Sequence, residues 1–181
     1  MPKIIRMKAK VCLAGEQAVG KTSLIRRFVL DQFDDAYQAT LGAKVSKKEV
    51  SVELPDRDMS VNIDMTLWDI MGSKGFRELL KEAYFHGAQG VLAVSDITRK
   101  NTLDDLREWH DIVHKTAGEI PWVLAVNKFD LKDRFAYGEE EVRVQTALFK
   151  APYLFTSAKT GERVEEAFSI LGRNIIEMEG V

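Results

Sequence analysis

Short apolar runs of strand type alternate with segments of helical period along this 181-residue chain, and this alternation constrains the fold more than any other feature. The strand-type runs are nearly continuous in apolar character, which is typical of strands buried on both faces of a parallel sheet. They span residues 9–14, 90–95, 122–126 and 153–155. Helical spacing predicts helices over residues 22–30, 103–116, 139–150 and 163–178. This order predicts right-handed crossovers and a doubly wound α/β sheet.

One segment departs from the strand–helix order. Residues 43–54 and 59–68 form two extended runs joined by Pro55-Asp56-Arg57-Asp58, and both runs show partial period-two alternation. A hairpin is the natural interpretation, with one edge strand antiparallel to the others. The sheet is therefore predicted to be mixed, with about six strands. The length fits one domain over residues 1–181, because no repeat or Pro/Gly-rich linker marks a boundary.

Composition excludes several classes of protein. The formal net charge of −2, from 26 basic and 28 acidic residues, argues against a nucleic-acid binder and a polybasic membrane-surface protein. The single cysteine, Cys12, cannot form an intrachain disulfide, which favours a reducing compartment. No apolar run is long enough to span a membrane, and no signal region or C-terminal prenylation cysteine is present. We expect a cytoplasmic, unanchored protein.

A phosphate-binding motif follows the first strand. Gly15-Glu16-Gln17-Ala18-Val19-Gly20-Lys21-Thr22 matches G-x-x-x-x-G-K-[ST] between an apolar strand and an amphipathic helix. Gly15 and Gly20 permit the tight turn that points successive N–H groups at phosphate oxygens, and the helix directs its positive end at the same anion. Lys21 supplies a mobile charge, and the Thr22 hydroxyl can ligate Mg²⁺. The motif by itself does not choose between adenine and guanine.

A second motif indicates which base the nucleotide carries. Asn127-Lys128-Phe129-Asp130 directly follows a predicted strand, at the sheet edge where ligands bind in doubly wound folds. The Asp130 carboxylate can accept two hydrogen bonds from guanine, whereas adenine offers no such donor pair. Lys128 can cover the ring with its aliphatic stem, and Asn127 can fix the loop. At the last strand end, Thr156-Ser157-Ala158-Lys159 places a backbone N–H at Ala158 that can donate to the guanine carbonyl. Guanine is therefore favoured.

These motifs together resemble those of Ras-superfamily small GTPases over nearly the whole chain. The similarity is greatest to the Rab branch, through Trp68-Asp69, Phe85-His86-Gly87-Ala88, Asp96-Ile97-Thr98 and Trp109. The resemblance implies a P-loop NTPase G domain: a six-stranded, mostly parallel sheet with one antiparallel edge strand, flanked by about five helices. It also implies Mg²⁺-dependent binding of GTP and GDP and a nucleotide-controlled switch. That branch usually carries a prenylated tail, so either this sequence stops short of such a tail or the protein works without a membrane tether, and the near-neutral charge favours the second.

The resemblance assigns further residues to the site. Thr40 matches the threonine that ligates Mg²⁺ only with the γ-phosphate present, and Asp69 matches the aspartate that holds Mg²⁺ through water. Phe33 matches the family aromatic that packs across guanine, and Tyr37 matches the aromatic that covers the phosphates. The Gly72 N–H matches the backbone N–H that contacts the γ-phosphate. The nucleotide-binding set implied is Gly15, Gln17, Ala18, Val19, Gly20, Lys21, Thr22, Ser23, Phe33, Tyr37, Thr40, Gly72, Asn127, Lys128, Asp130, Ser157, Ala158 and Lys159.

Two positions depart from the family pattern. The usual run Asp-Thr-Ala-Gly-Gln reads Asp69-Ile70-Met71-Gly72-Ser73, so serine replaces the glutamine that orients the attacking water. Gln17 stands beside the γ-phosphate, where the family often has a small residue. We hypothesise that the Gln17 amide takes over the water-positioning role that Ser73 is too short to fill. Very slow intrinsic turnover and a catalytic group donated by a partner are the competing explanations.

The sequence thus predicts a GTP-hydrolysing switch with slow intrinsic turnover. Lys21, Thr40, Gly72, Gln17 and Ser73 form its expected catalytic set, and Thr22, Thr40 and Asp69 its metal set. Effectors, activating proteins and exchange proteins are expected to bind loops around 33–42 and 69–80 of a monomer that binds no nucleic acid. The alternative is a GTP-binding interaction module with negligible hydrolysis, controlled by exchange or by partners. A P-loop kinase or ATPase is disfavoured by the 127–130 motif.

Overall fold

The computed structural model describes residues 3–70 and 73–181, without the side chains of residues 74, 76 and 77. Its strands form one six-stranded sheet in the order β2-β3-β1-β4-β5-β6. The strands are β1 (Lys3–Ala14), β2 (Ala43–Leu54), β3 (Met59–Ile70), β4 (Gly90–Asp96), β5 (Trp122–Asn127) and β6 (Tyr153–Phe155). Only β2 runs antiparallel to its neighbour, so the predicted mixed sheet is confirmed.

Helices cover both faces of this sheet. They are α1 (Lys21–Leu30), α2 (Lys74–Phe85), α3 (Lys100–Asp104), α4 (Leu106–Ala117), α5 (Glu139–Phe149) and α6 (Val164–Glu179). Because α3 and α4 follow each other without a loop, the helices of the described residues occupy five positions around the sheet. In the described part of the chain, no helix has the length and apolar character needed to span a membrane.

Two sequence predictions about helices were wrong. Residues 103–116 do not form one helix, because the chain breaks at Asp105, between α3 and α4. The Glu108 N–H donates to Asp105 O at 3.1 Å, an i→i+3 bond, and the buried residues Leu103, Leu106 and Trp109 repeat every three positions, which suits a 3₁₀-type turn. The 69–80 segment, predicted as a loop, becomes helical at Lys74. Its apolar residues at 76, 79, 80 and 84 have helical spacing, a signal that the glycines at 72 and 75 obscured.

The hairpin prediction is confirmed. β2 and β3 pair antiparallel from Ala43 opposite Ile70 to Leu54 opposite Met59, and a 3₁₀ turn over Pro55–Arg57 joins them. β1 begins at Lys3, six residues before the predicted start at residue 9, because its first half pairs in parallel with β3. Charged residues such as Arg6 and Lys8 alternate along that half, so it lacks the continuous apolar run that marked the buried part.

Two apolar cores lie on the opposite faces of the sheet. One packs α1 and α6 against it, with Phe28 and Phe168 stacked at 4.0 Å between ring centroids. The other packs α2, α4 and α5 around Phe85 and the fully buried Trp109. Between them, the five parallel strands β1, β3, β4, β5 and β6 end at the same edge of the sheet. This edge carries the phosphate motif after β1, Asp69 near the end of β3 and the 127–130 motif at the end of β5.

Candidate nucleotide-binding site

A cavity of about 360 Å³ opens at the carboxyl edge of the sheet. Most of its lining comes from residues 17–23, residues 33–40, the turn after β5 and the loop after β6, and Arg26 and Ile70 complete it. Its volume lies within the range of small-molecule and cofactor sites, and its place at the strand ends is where doubly wound folds bind ligands.

The loop from Gly15 to Gly20 has the backbone geometry of an anion cradle. Gly15 has φ +150° and Gly20 has φ +104°, and Ala18 lies between them in the left-handed region at φ +62°. A Cβ at Gly15 would lie 2.3 Å from the Val94 carbonyl oxygen, so only glycine fits there. α1 begins at the next residue, Lys21, and its first three residues line the same cavity, so the positive end of the helix lies there.

Lys21 is 6% exposed, an unusual burial for a lysine. Its ammonium donates to the carbonyl oxygens of Gly15 at 2.6 Å and Glu16 at 2.8 Å, so it arches over the loop while lining the cavity. The outer side of the loop is also held, because Trp109 Nε1 on α4 donates to Glu16 Oε1 at 3.3 Å. The phosphate cradle is thus held from both sides by contacts within the protein.

Three oxygen-bearing side chains meet at one end of the cavity. The hydroxyls of Thr22 and Thr40 lie 2.7 Å apart, and the Thr22 hydroxyl donates to Asp69 Oδ2. Asp69 Oδ1 is buried and has no hydrogen-bond partner among the described residues. Burial raises the pKa of the Asp69 carboxyl, although Thr22 and Lys21 act in the opposite direction. A buried, unpartnered carboxylate oxygen beside two hydroxyls fits a hard divalent cation such as Mg²⁺.

Two residues meet across the cavity mouth. Gln17 Nε2 donates to the Tyr37 hydroxyl at 3.0 Å, which links the phosphate loop to the loop between α1 and β2. Phe33, from the same loop, lines the cavity and packs against the α1–α6 core. Ser73 lies at the N-terminus of α2. Gly72 falls outside the described residues, as does Met71.

The loops after β5 and β6 are joined by side chains of the 127–130 motif. Asn127 donates from Nδ2 to Val19 O at 3.0 Å, and its Oδ1 accepts from the Ala158 N–H at 3.2 Å. Ser157 donates to Asp130 Oδ1 at 2.7 Å and so orients that carboxylate in the cavity wall. The Ala158 N–H, expected to reach a guanine carbonyl, therefore already has Asn127 as its partner in this structure.

A cluster centred on Asp96 escaped the sequence analysis. Asp96 Oδ2 lies 2.7 Å from Lys128 Nζ and 3.1 Å from Arg99 Nε, and the two cations donate to successive phosphate-loop carbonyls, Ala18 O and Gln17 O. Burial favours a higher pKa for Asp96, but hydrogen bonds from Lys128 and Thr98 outweigh it and lower the pKa. The available signal was the position of Asp96 as the last residue of β4, at the ligand-binding edge.

The structure brings most predicted site residues to this one cavity. Fourteen line it: Gln17, Ala18, Gly20, Lys21, Thr22, Ser23, Phe33, Tyr37, Thr40, Asn127, Lys128, Asp130, Ala158 and Lys159. Gly15, Val19, Ser157 and Asp69 are buried behind them. Several further residues line the cavity without belonging to the predicted nucleotide-binding set, namely Arg26, Asp34, Asp35, Ala36, Gln38, Ile70 and Leu131.

Comparison with known proteins identifies the family. A model of the Ras family matches residues 10–177. The chain belongs to the Ras family. It is also 34% identical over 175 residues to Ras-related protein Rab7 of Drosophila melanogaster, an alignment that covers 94% of this chain and 81% of that protein. Ras-family proteins are GTP-binding small GTPases that bind GTP or GDP with Mg²⁺ and interact with effectors, activating proteins and exchange factors.

Proposed function

We propose that this chain is a Mg²⁺-dependent GTP/GDP switch that hydrolyses GTP slowly unless an activating partner binds. The observation that carries the proposal is that one cavity is lined by the phosphate cradle, the oriented Asp130 carboxylate and the hydroxyls of Thr22 and Thr40, with Asp69 hydrogen-bonded behind Thr22. Each feature alone fits many proteins. Their combination fits a guanine nucleotide with its phosphates on the Gly15–Gly20 loop and its base between Lys128 and Ala158.

Each group has a role in this proposal. The N–H groups of the Gly15–Gly20 loop and the Lys21 ammonium bind the phosphate oxygens and stabilise the charge that develops there. Thr22, Thr40 and Asp69 would hold Mg²⁺, with Asp69 acting through water. When bound, Mg²⁺ supplies positive charge beside the outer phosphates. A water attacks the γ-phosphorus in line, the bond from that phosphorus to the bridging oxygen breaks, and GDP and phosphate leave.

The base and the metal are tested by binding measurements. Calorimetry should show tighter binding of GDP than of ADP, and weaker binding of GTP after Mg²⁺ is removed with EDTA. Asp130→Asn should weaken GDP binding by about 100-fold or more, because it disrupts a buried pair of hydrogen bonds. The matched control is Asp133→Asn, an exposed aspartate three residues further on, which should leave GDP affinity unchanged. Equal affinity of the wild-type protein for ADP and GDP would contradict the proposal.

The water-positioning residue remains a hypothesis centred on Gln17. Its hydrogen bond to Tyr37 holds the amide at the mouth of the cavity, on the phosphate-loop side, which supports a role there. Single-turnover hydrolysis of bound GTP should be at least about ten-fold slower in Gln17→Ala, within the range of general catalytic contributions. Ser73→Gln should be as fast as wild type or faster. A Gln17→Ala rate equal to wild type would rule out this role for Gln17.

The alternative function, a GTP-binding module with negligible hydrolysis, is favoured by Ser73 in place of glutamine. Prolonged incubation of a stoichiometric GTP complex separates the two, because the module would produce no detectable GDP. In either case we propose that partners bind residues 33–42 and 69–80, where Leu41 is 84% exposed and Leu79 83% exposed. A single domain acting as a cytoplasmic monomer remains the prediction for residues 1–181.

A further inference from the structure

We propose that Arg27, on α1, is a positioning residue that holds the loop of residues 157–161 and thereby sets both the release rate and the base selectivity of bound guanine nucleotide. This inference rests on the proposed function. Arg27 does not line the cavity, and neither the phosphate motif nor the base motif contains it. Its part in nucleotide binding follows from its contacts with the back of the 157–161 loop.

Arg27 binds two successive backbone carbonyls of that loop. Its Nε donates to Ala158 O at 2.9 Å and one terminal nitrogen donates to Lys159 O at 2.6 Å. The Arg27 side chain is only 18% exposed, so these charge-assisted bonds are partly shielded from water.

The held loop in turn orients Asp130, the proposed base reader. Within the loop, the Gly161 N–H donates to Ser157 O at 2.8 Å and the Thr160 N–H to Ser157 Oγ at 3.1 Å. The Ser157 hydroxyl then donates to Asp130 Oδ1 at 2.7 Å. A displacement of the 157–161 loop therefore moves the hydroxyl that fixes the Asp130 carboxylate. Arg27 acts on the base through this chain of bonds without touching it.

Arg27 also connects the loop to the segment that follows α1. Its second terminal nitrogen lies 2.9 Å from Asp31 Oδ1 and 3.3 Å from Asp31 O, at the residue that ends α1. Four residues on, Asp35 lies 3.5 Å from Lys159 Nζ. Asp31 is 90% exposed on its side chain, so this pair contributes little by itself. The two carbonyl bonds are the contacts that we expect to matter.

The geometry needs arginine and not only a positive charge. A planar guanidinium offers several donors in fixed directions, whereas an ammonium is a single point charge. One guanidinium can therefore hold two carbonyls and Asp31 at once. Lysine at this position would reach one acceptor and leave the other carbonyl to water. A graded series of substitutions at residue 27 thus reports on the number of carbonyls held.

The test uses the full chain loaded with a fluorescent GDP analogue and chased with excess unlabelled GDP. Arg27→Gln should release nucleotide about ten-fold faster than wild type, because the variant loses the charge-assisted hydrogen bonds to the two carbonyls. Arg27→Lys should fall between the two. Asp31→Asn should stay close to wild type, as should the matched control Arg107→Gln, an exposed arginine on α4.

Selectivity separates positioning from a general loss of structure. Inosine diphosphate lacks the 2-amino group that Asp130 is proposed to read. If Arg27 positions Asp130, Arg27→Gln should weaken GDP binding more than inosine diphosphate binding, and so reduce the ratio of the two affinities. An unchanged ratio, an unchanged release rate, or an Asp31→Asn effect as large as that of Arg27→Gln would each overturn the inference. Should Arg27→Gln not fold, Arg27→Lys is judged by the same criteria.

Failure of this inference and failure of the proposed function give different results. Wild-type protein that does not prefer GDP over ADP removes the proposed function. Wild-type protein that prefers GDP, together with an Arg27→Gln variant that keeps wild-type release and selectivity, removes only the role of Arg27.

Discussion

The Gln17 side chain donates a 3.0 Å hydrogen bond to the Tyr37 hydroxyl, and both residues line the candidate nucleotide cavity. The two residues come from the phosphate loop and from the loop between α1 and β2, twenty positions apart. Both side chains are largely exposed, so the bond competes with water. It is therefore a weak contact between the two loops, and we call this Gln17–Tyr37 hydrogen bond the clasp.

The first prediction concerns this clasp. Tyr37→Phe removes the hydroxyl and keeps the ring, and should speed GDP release about two- to five-fold, as expected for one exposed neutral hydrogen bond. Gln17→Ala should have a similar effect on release. Because both variants break the same bond, their effects should not add in the double variant. Additive effects in stopped-flow release measurements would show that the two residues act separately.

The second prediction concerns the stability of the Asp96 cluster at different pH values. The pKa of Asp96 is lowered in the folded state, so its contribution to the free energy of unfolding is full above the unfolded pKa of about 4 and is lost as pH falls through the folded pKa. Urea unfolding should therefore show Asp96→Asn less stable than wild type at pH 7, with the difference shrinking below about pH 4.

Asp104→Asn is the matched control for Asp96. Asp104 also pairs with a lysine, Lys100 at 2.8 Å, but both side chains are at least half exposed. Exposed pairs of this kind contribute little to stability, so this variant should unfold like wild type at both pH values. A pH-independent loss of stability in Asp96→Asn would indicate that packing, and not charge, makes Asp96 important.

The third prediction concerns the core under the site. Phe168 is fully buried and stacks on Phe28 with an interplanar angle of 7°. Phe168→Ala should lower the free energy of unfolding by about 3–5 kcal/mol, because it removes buried contacts and leaves a cavity. Met178→Ala, on the exposed side of the same helix, should change it by less than about 0.5 kcal/mol. Chemical denaturation of both variants gives the comparison.

The fourth prediction concerns the phosphate cradle. Gly15→Ala places a Cβ against the Val94 carbonyl in a backbone conformation that favours glycine, so nucleotide binding should be lost or strongly weakened. Gly75→Ala is the control, since a Cβ there meets nothing within 4 Å and the φ of Gly75 is not positive. Retention of wild-type GDP affinity by Gly15→Ala, measured by calorimetry, would contradict this account of the loop.

The sequence predicted those parts of the molecule that depend on local patterns. Strand 153–155, the hairpin and the phosphate loop followed from periodicity, turn residues and glycine spacing, and the structure agrees with each. The break at Asp105 was missed because 103, 106 and 109 also fit a regular helix pattern. Arg99 and Arg27 were missed because each donates hydrogen bonds to backbone carbonyls that are distant along the chain. Arg99 binds a carbonyl 82 positions away and Arg27 binds one 131 positions away, and a single sequence does not show such contacts.

The position of β2 has a consequence for association between copies of this protein. β2 is the outermost strand of the sheet on its side and extends over twelve residues, so its free backbone groups form a template to which another strand can add. The strand carries Lys44, Lys47 and Lys48, with Lys44 and Lys47 exposed. In a parallel, in-register pairing with a second β2, each lysine would lie beside its own copy, and the like charges would repel. The lysines thus oppose strand-by-strand aggregation at the edge that the hairpin leaves open.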